Sequence, residues 1–460
     1  MTLHPRYSVG IIAIAGAMLI VVGTSHADSA KLELKRVEPG VKSILARTQR
    51  QTCMIMEGTD ADRELQAAFS QVVKKQPAKY ESEHPLRGVM KLGDLTYGFV
   101  LDALPVEPEA KDPEEPGKDS QEPEEEEEEA PPEPKGCGRL YFDSNHNGDL
   151  TDDKVIEAIN PRPKQVLSYL FYDFPRTDLT IEIDGKKADY SFTFHAYSTN
   201  RGGAQFAVAS LAAAAYREGE INLGGKPTRV VVLDYNSNGR FDDVWKPPTE
   251  NSRGRPEPGD YVLFGPAPTD KSPQARHYVQ KLVGIDGRFY DMKVTGIGDK
   301  LEIVPSSIEV GQVTIPSDGF AATIFGEIGL LDIRGDKTKP IPVPVGDWEL
   351  AWYAFTKTAK GEDDEEAVDS TMRAAATKDC KAIVIRKGET VELAFGPAIR
   401  PVVTAAKITN GMSRLKLDLL GKGGARLTDL RVDGNRPAPP EFTIIAPDGE
   451  VVERGKFKYG

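Results

Sequence analysis

The sequence has few cysteines, few histidines and no long apolar run beyond its N-terminus. Three cysteines, Cys53, Cys137 and Cys380, allow at most one internal disulfide, which excludes a disulfide framework. The six histidines form no HExxH pair, and GxSxG and phosphate-binding glycine motifs are absent. No later stretch approaches the length of a membrane span, so we expect none after signal cleavage.

The N-terminus has the order of a secretory signal peptide. Arg6 is followed by the run SVGIIAIAGAMLIVVG at 8–23, and small residues stand at Ser25 and Ala27. We therefore predict that 1–27 is a signal peptide, cut before Asp28, and that the protein is secreted or periplasmic. An uncleaved anchor helix is the alternative, although a bilayer span usually needs ~20 apolar residues.

The net charge of -13 is concentrated in two short segments. Residues 104–136 contain fourteen acidic and three lysine side chains, and residues 362–369 add six more acids. The remaining chain is close to neutral, so we expect no nucleic-acid partner. Consecutive glutamates among prolines cannot bury apolar surface, which predicts a disordered acidic insertion at 104–136 between neighbouring strands.

The organisation of the remaining chain is predicted to be mainly β, with an α+β start. Thr59 can cap a helix in which Leu65, Phe69, Val72 and Val73 form one apolar stripe. Alternating apolar residues and Asp-Gly or Gly-Gly turns then predict strands to the C-terminus. We divide the mature chain into a β-rich domain at 28–300, a β-sandwich at 301–398 and a C-terminal β module at 399–460.

The segment PIPVPVGDWELAWYAF, which ends at Phe355, supports the sandwich prediction through a resemblance. Prolines leading into a Gly-Asp-Trp strand are similar to transthyretin-like and carboxypeptidase-regulatory-like sandwiches of exported bacterial proteins. The resemblance covers fewer than fifty residues, and it implies a fold without implying an activity.

One motif occurs twice, each time after an apolar strand. The copies are DSNHNGDLTDD after GRLYF and DYNSNGRFDDV after TRVVVL. Oxygens at loop positions one, three and five, with a glycine at six, converge on one point, as calcium requires. The residues that carry this pattern are Asp143, Asn145 and Asn147 in the first copy, and Asp234, Asn236 and Asn238 in the second.

The later loop positions add candidate ligands. Positions seven and nine commonly supply a carbonyl and a side chain or water; here they are Asp149 and Thr151, and Arg240 and Asp242. The loops resemble EF-hand-like calcium loops of the dockerin and thrombospondin type 3 kind, but position twelve is Lys154 or Trp245 instead of glutamate. A carboxylate from a shorter loop can replace it, and the candidates are Asp152, Asp153 and Asp243.

The simpler alternative is that both Asn-Gly pairs are hairpin turns, because Asn-Gly is a strong hairpin signal. A hairpin does not account for Asp and Asn at positions one and three, or for the acids that follow. The sequence therefore predicts two calcium sites.

The arrangement of the whole chain resembles a group of large exported proteins from planctomycete-type bacteria that pair such loops with sandwich modules. That group implies no activity. We predict an exported calcium-binding protein that acts as a binding or structural module at the cell surface or in the periplasm, where a cell-surface protein or a carbohydrate is its ligand. The rival prediction is a secreted hydrolase with dispersed carboxylates.

Overall fold

The structure is a computed structural model, and it describes residues 28–38, 44, 48–105, 136–159, 164–166, 169–201, 204–249, 256–266, 276–358, 369–407 and 413–459. Strands make up 58% of the chain and helix 4%, which confirms the predicted mainly β fold. Within the described ranges, no helix is both long and apolar enough to cross a membrane. The predicted signal peptide lies outside these ranges, as does nearly all of the acidic insertion.

The strands of the first part of the chain, in order, are β1 (Asp28–Lys31), β2 (Glu33–Arg36), β3 (Gln51–Met56), β4 (Leu86–Leu92), β5 (Leu95–Asp102), β6 (Arg139–Phe142), β7 (Ile156–Glu157), β8 (Lys164–Val166), β9 (Tyr169–Asp173), β10 (Thr177–Ile183), β11 (Lys186–Arg201), β12 (Ala204–Ala213), β13 (Ala215–Leu223), β14 (Lys226–Leu233), β15 (Tyr261–Phe264), β16 (Arg276–Tyr278), β17 (Leu282–Ile285), β18 (Arg288–Val294) and β19 (Lys300–Pro305).

The later strands are β20 (Val310–Thr314), β21 (Phe320–Gly326), β22 (Gly329–Arg334), β23 (Ile341–Pro344), β24 (Gly346–Thr358), β25 (Asp369–Ala375), β26 (Ile383–Ile385), β27 (Thr390–Glu392), β28 (Gly396–Lys407), β29 (Ser413–Lys422), β30 (Arg426–Arg431), β31 (Glu441–Ile445) and β32 (Val451–Lys456).

The helix α1 (Asp60–Val72) begins where its sequence predicts. The Thr59 side chain accepts a hydrogen bond from the Asp62 backbone N–H at 3.1 Å, which satisfies one of the free amides of the first turn. The predicted apolar stripe faces inward, with Phe69 and Val73 buried. The helix therefore covers the sheet that contains β4 and β5.

A single large core joins most strands before residue 305. Four sheets contribute to it, with strand orders β1-β19-β18-β17, β3-β12-β11-β9-β8, β2-β13-β14-β15-β16 and β4-β5-β6-β7. Alanines on β12 face bulky neighbours: Ala213 is paired with Phe192, and Ala207 and Ala209 are fully buried. Small side chains on this strand leave room for the aromatic rings of β11, which explains why the alanine-rich segment forms a strand.

The strands on either side of the acidic insertion are direct neighbours. Phe99 of β5 is paired with Phe142 of β6, and the antiparallel pairing continues to Asp102 and Arg139. The segment predicted to be an insertion thus connects two strands that are neighbours in one sheet.

A second core begins after β19 and includes buried residues from Val313 to Ala425. Its main sheet has the order β22-β21-β24-β25-β30-β29-β28. The predicted boundary at 398/399 falls within β28, and β30 is paired with β25, so this sheet crosses that boundary. Trp348 and Tyr353 are core residues of β24, being 2% and 0% exposed.

A pair of candidate calcium loops

The first loop, residues 143–154, begins immediately after β6. Asp143 is only 1% exposed, and its carboxylate accepts backbone N–H bonds from Asn147 at 3.0 Å and Gly148 at 3.0 Å. The amide oxygen of Asn145 accepts the Asn147 N–H at 2.9 Å, and that of Asn147 accepts the Asp149 N–H at 2.7 Å. The chain therefore curls around the Asp143 carboxylate.

The second loop, residues 234–245, repeats this scheme after β14. The buried Asp234 carboxylate accepts the N–H groups of Asn238 at 3.2 Å and Gly239 at 2.7 Å. The amide oxygens of Asn236 and Asn238 accept the next N–H groups in the same way. Asp234 has one additional partner, the hydroxyl of Tyr190, which donates to it at 2.7 Å.

Glycine at position six is required by the backbone and by close packing. Gly148 and Gly239 have φ angles of 77° and 88°, in the left-handed region. An added Cβ at Gly148 would lie 2.7 Å from the carbonyl oxygen of Val72, and one at Gly239 would lie 2.6 Å from the Ile181 side chain. A side chain at position six would thus disrupt both the loop and its contact with the core.

The two asparagines of each loop point their amide nitrogens at one carboxylate. In the first loop, Asn145 and Asn147 donate to Asp152 at 3.4 Å and 2.7 Å. In the second loop, Asn236 and Asn238 donate to Asp243 at 2.9 Å and 2.6 Å. Position ten, not position twelve, therefore provides the closing acid in both loops.

A further carboxylate joins each loop by accepting the N–H at position two. Asp153 accepts from Ser144 at 3.2 Å, and its second oxygen is buried without a hydrogen-bond partner. In the second loop this role belongs to Asp260, which accepts from Tyr235 at 2.8 Å and from Asp243 at 2.9 Å. Asp260 is a site residue that the sequence did not predict, because it lies outside the motif, just before β15.

Burial and mutual repulsion perturb these acids. Burial raises the pKa of Asp143 and of Asp153. It raises the pKa of Asp234 to about 7, opposed by bonds from Tyr190 and the loop amides. The pKa of Asp260 is raised well above its ordinary value, first by burial and then by the charges of Asp234 and Asp243. Each loop therefore brings several carboxylates together. In the contacts described above, none of these carboxylates has a cationic side chain as its partner.

Four predicted ligand positions are tied to other partners. Asp149 accepts from Lys75 Nζ at 2.7 Å, a contact that lowers its pKa to about 2, and Thr151 bonds Asp149. Arg240 forms ion pairs with Asp94 at 2.9 Å and Asp184 at 3.1 Å, and with Asp242 at 2.9 Å. The side chains of Asp149, Thr151, Arg240 and Asp242 are thus held by bonds outside the cluster of carboxylates and asparagine amides.

Both loops are attached to β5 and its preceding turn. The Asp143 N–H donates to the carbonyl of Gly98 at 3.1 Å, and a ring nitrogen of His146 lies 3.1 Å from the Thr96 carbonyl. On the other side, the Gly93 N–H donates to the carbonyl of Asn238 at 2.7 Å. The end of α1 is fixed too, because Lys74 and Lys75 donate to the Gly148 carbonyl.

In the part of the chain that the structure describes, no three His, Cys, Asp or Glu side chains are placed to hold a metal ion by themselves. Any ion in these loops would therefore also need amide and carbonyl oxygens. Such mixed oxygen sets are typical of calcium, which takes six to eight oxygens, and not of zinc, which takes four nitrogen or sulfur-rich ligands.

A second surface of interest is the outer side of the sheet β3-β12-β11-β9. Its apolar side chains are Met54 and Met56, which are 61% and 43% exposed, with Phe171, Tyr197 and Phe206. Ring centroids lie 5.4 Å apart between Phe171 and Tyr197, and 6.2 Å apart between Tyr197 and Phe206. We call these five residues the Met-aromatic face.

Comparison with known proteins found no match: no family model, no curated protein and no solved structure is similar to this chain.

Proposed function

We propose that the two loops bind calcium and that the ions stabilise an exported β-rich protein, which serves as a binding or structural module at the cell surface or in the periplasm. The observation that carries the proposal is the repeated cluster of two buried or half-buried carboxylates, one closing carboxylate and two asparagines. A cation at its centre would offset the burial and the mutual repulsion that together raise the pKa of Asp143, Asp153, Asp234 and Asp260.

The side chains that would hold the ions are hard oxygen donors, as calcium prefers. They are Asp143, Asn145, Asn147, Asp152 and Asp153 in the first loop, and Asp234, Asn236, Asn238, Asp243 and Asp260 in the second. The asparagine side-chain N–H groups donate to Asp152 and Asp243, so a partial positive charge already lies beside each of these carboxylates. A bound ion would take over this role, with the amide groups turned to offer oxygen.

A stabilising role follows from what the loops connect. In the first loop, the Gly148 carbonyl and the Asp143 N–H bind the end of α1 and β5. In the second loop, the Asn238 carbonyl binds the turn before β5. The three cysteines are free, so no disulfide in the protein performs that task. Calcium thus takes the part that disulfides play in many small exported domains.

Export rests on the signal-peptide order of residues 1–27. The strand β1 (Asp28–Lys31) pairs with β19 and lies on the C-terminal side of the predicted cut. A chain cut before Asp28 would therefore keep β1.

A binding role is favoured over the hydrolase alternative. Asp234 and Asp260, the acids whose pKa is strongly raised, are 0% exposed, and their carboxylates already accept hydrogen bonds from the protein. A substrate therefore cannot reach them. The Met-aromatic face, by contrast, exposes Met54, Met56 and Phe171 to solvent and offers apolar contact of the kind that proteins and carbohydrates use.

The experiment is thermal unfolding of the mature protein in EDTA and in millimolar calcium. At about ten times the dissociation constant, each site adds roughly 1.4 kcal/mol, so calcium should raise the melting temperature visibly. Magnesium should be a poor substitute because it demands a strict octahedron. Asp143→Ala should remove about half of the shift, and Asp143→Ala with Asp234→Ala all of it.

The matched control is Asp149→Ala, which removes a carboxylate from the same loop without touching the central cluster. It should keep the calcium shift. Equal melting curves in EDTA and in calcium for the unmodified protein would contradict the proposal and leave both loops as Asn-Gly turns.

A further inference from the structure

A cleft of about 770 Å³ lies where the first core meets the beginning of the second. Its walls come from β1, the turns of the β13-β14 and β17-β18 hairpins, the end of β19, and the first strands of the second core. The volume falls in the range of ~300–1,000 Å³ that small-molecule sites occupy, and such sites favour the junctions between structural units. Neither calcium loop contributes to this cleft.

The rim of the cleft holds an exposed arginine, Arg288. Arg288 follows the Asp286-Gly287 turn, and its Nη1 atom lies 3.8 Å from the position of a Cβ on Gly224 in the opposite turn. In the described ranges the guanidinium makes no hydrogen bond and no ion pair. An arginine fork in this setting is complementary to a carboxylate, which it can bind through two parallel hydrogen bonds.

A tyrosine hydroxyl inside the cleft also lacks a partner. Tyr290 is 8% exposed and lines the cleft, yet its hydroxyl forms no hydrogen bond with a described residue. The ring is largely buried, but its hydroxyl is not a buried atom without a partner, so it is open to a ligand. The apolar residues Ile308 and Pro342 line the same cleft.

We propose that this cleft binds a small organic carboxylate, with its charged group on Arg288, a polar group on the Tyr290 hydroxyl and its apolar body against the apolar lining residues Ile308 and Pro342. Asp28 also lines the cleft and opposes an anion. In the mature chain predicted from the sequence, the α-ammonium group of the same residue offsets that charge. The site is independent of the calcium loops.

The test is calorimetric titration of the mature protein with two carboxylates of different bodies, benzoate and glucuronate, and with their neutral counterparts, benzamide and glucose. At least one carboxylate should bind, and its neutral counterpart should bind about tenfold more weakly or worse, because it cannot pair with the guanidinium. Binding of benzoate would indicate a ligand with an aromatic ring, and binding of glucuronate would indicate a ligand with a sugar ring.

Three variants locate the binding. Arg288→Gln should weaken it about tenfold or more, and Tyr290→Phe should weaken it severalfold while leaving the melting temperature unchanged within a few degrees. Arg400→Gln is the control, because Arg400 is an exposed arginine of β28 that makes no ion pair with a described residue, and it should have no effect. Failure of both carboxylates to bind at about 10 mM, or binding that is unaffected by Arg288→Gln, would overturn the proposal.

Discussion

The two loops share one hydrogen-bond scheme but differ in how the protein encloses them. The first loop is closed by acids from its own sequence, Asp152 and Asp153, and contacts the end of α1. The second loop is enclosed by the core: Tyr190 bonds Asp234, and Asp260 reaches it from just before β15. The carboxylates around the same motif can therefore come from the loop itself or from residues that the fold brings to it.

This difference changes how the motif's formal charge should be interpreted. In the sequence, the first loop contains more acidic residues, while the second contains Arg240. The sequence therefore predicts a lower calcium affinity for the second loop. In the structure Arg240 is taken up by Asp94, Asp184 and Asp242, and Asp260 restores a carboxylate to the cluster. We therefore expect the second loop to match or exceed the first in affinity at alkaline pH, where its acids are ionised.

The largest expected effect separates the loops in the absence of calcium. In EDTA at about pH 5.5, below the pKa of about 7 that burial gives Asp234, Asp234→Ala should lower the free energy of unfolding more than Asp143→Ala does. Both lose the acceptor of two loop N–H groups, but Asp234→Ala also leaves the buried Tyr190 hydroxyl without a partner. An unsatisfied buried group costs about 1–3 kcal/mol, measurable by urea unfolding.

The control for this comparison is Tyr190→Phe, which removes the hydroxyl and keeps the ring. In that background the two alanine variants should cost similar amounts. An Asp143→Ala variant that is the less stable of the two in EDTA would show that the second loop is not the more enclosed one.

A comparable effect on the free energy of unfolding is expected from pH. Folding raises the pKa of Asp234 from its ordinary value near 3.8 to about 7, with Tyr190, Asp243 and Asp260 as its charged or titratable neighbours. The fold therefore favours the protonated acid, and stability in EDTA should fall as the pH rises from about 4 to about 7. Calcium should flatten this decline, since the ion favours the ionised acids.

Urea unfolding at a series of pH values, with and without calcium, checks this expectation. The part of the decline that belongs to the second loop should disappear in Asp234→Asn, which cannot ionise. If the free energy of unfolding in EDTA instead rises over the same pH range, the expected sign is wrong. That result would rule out buried acids that repel one another in the loop.

The smallest effects are expected at the side chains that the fold ties outside the cluster. Asp149→Ala removes an exposed contact with Lys75, and such surface ion pairs contribute about 0–1 kcal/mol. Its unfolding free energy in EDTA should change by less than about 1 kcal/mol. A loss as large as that of Asp143→Ala would place Asp149 within the central cluster after all.

Much of this architecture is predictable from local patterns. The cap of α1 at Thr59, the strand before each loop and the need for Gly148 and Gly239 all follow from short sequence signals. Asp260 does not, because seventeen residues separate it from Asp243, and only the pairing of β14 with β15 brings it back. Likewise, the motif cannot reveal that Lys75 holds Asp149 or that Asp94 and Asp184 hold Arg240, since those partners lie on distant strands and turns.

The most direct test of the central claim is calorimetric titration of calcium into the mature protein at about pH 7.5, after removal of metal with EDTA. Carboxyls that ionise on binding should release protons, so the heat should depend on the buffer at lower pH. We predict two ions per chain, one ion for Asp143→Ala or for Asp260→Ala, and two for the Asp149→Ala control. A titration that shows no binding at millimolar calcium, or two ions still bound by the Asp143→Ala, Asp234→Ala double variant, would contradict it.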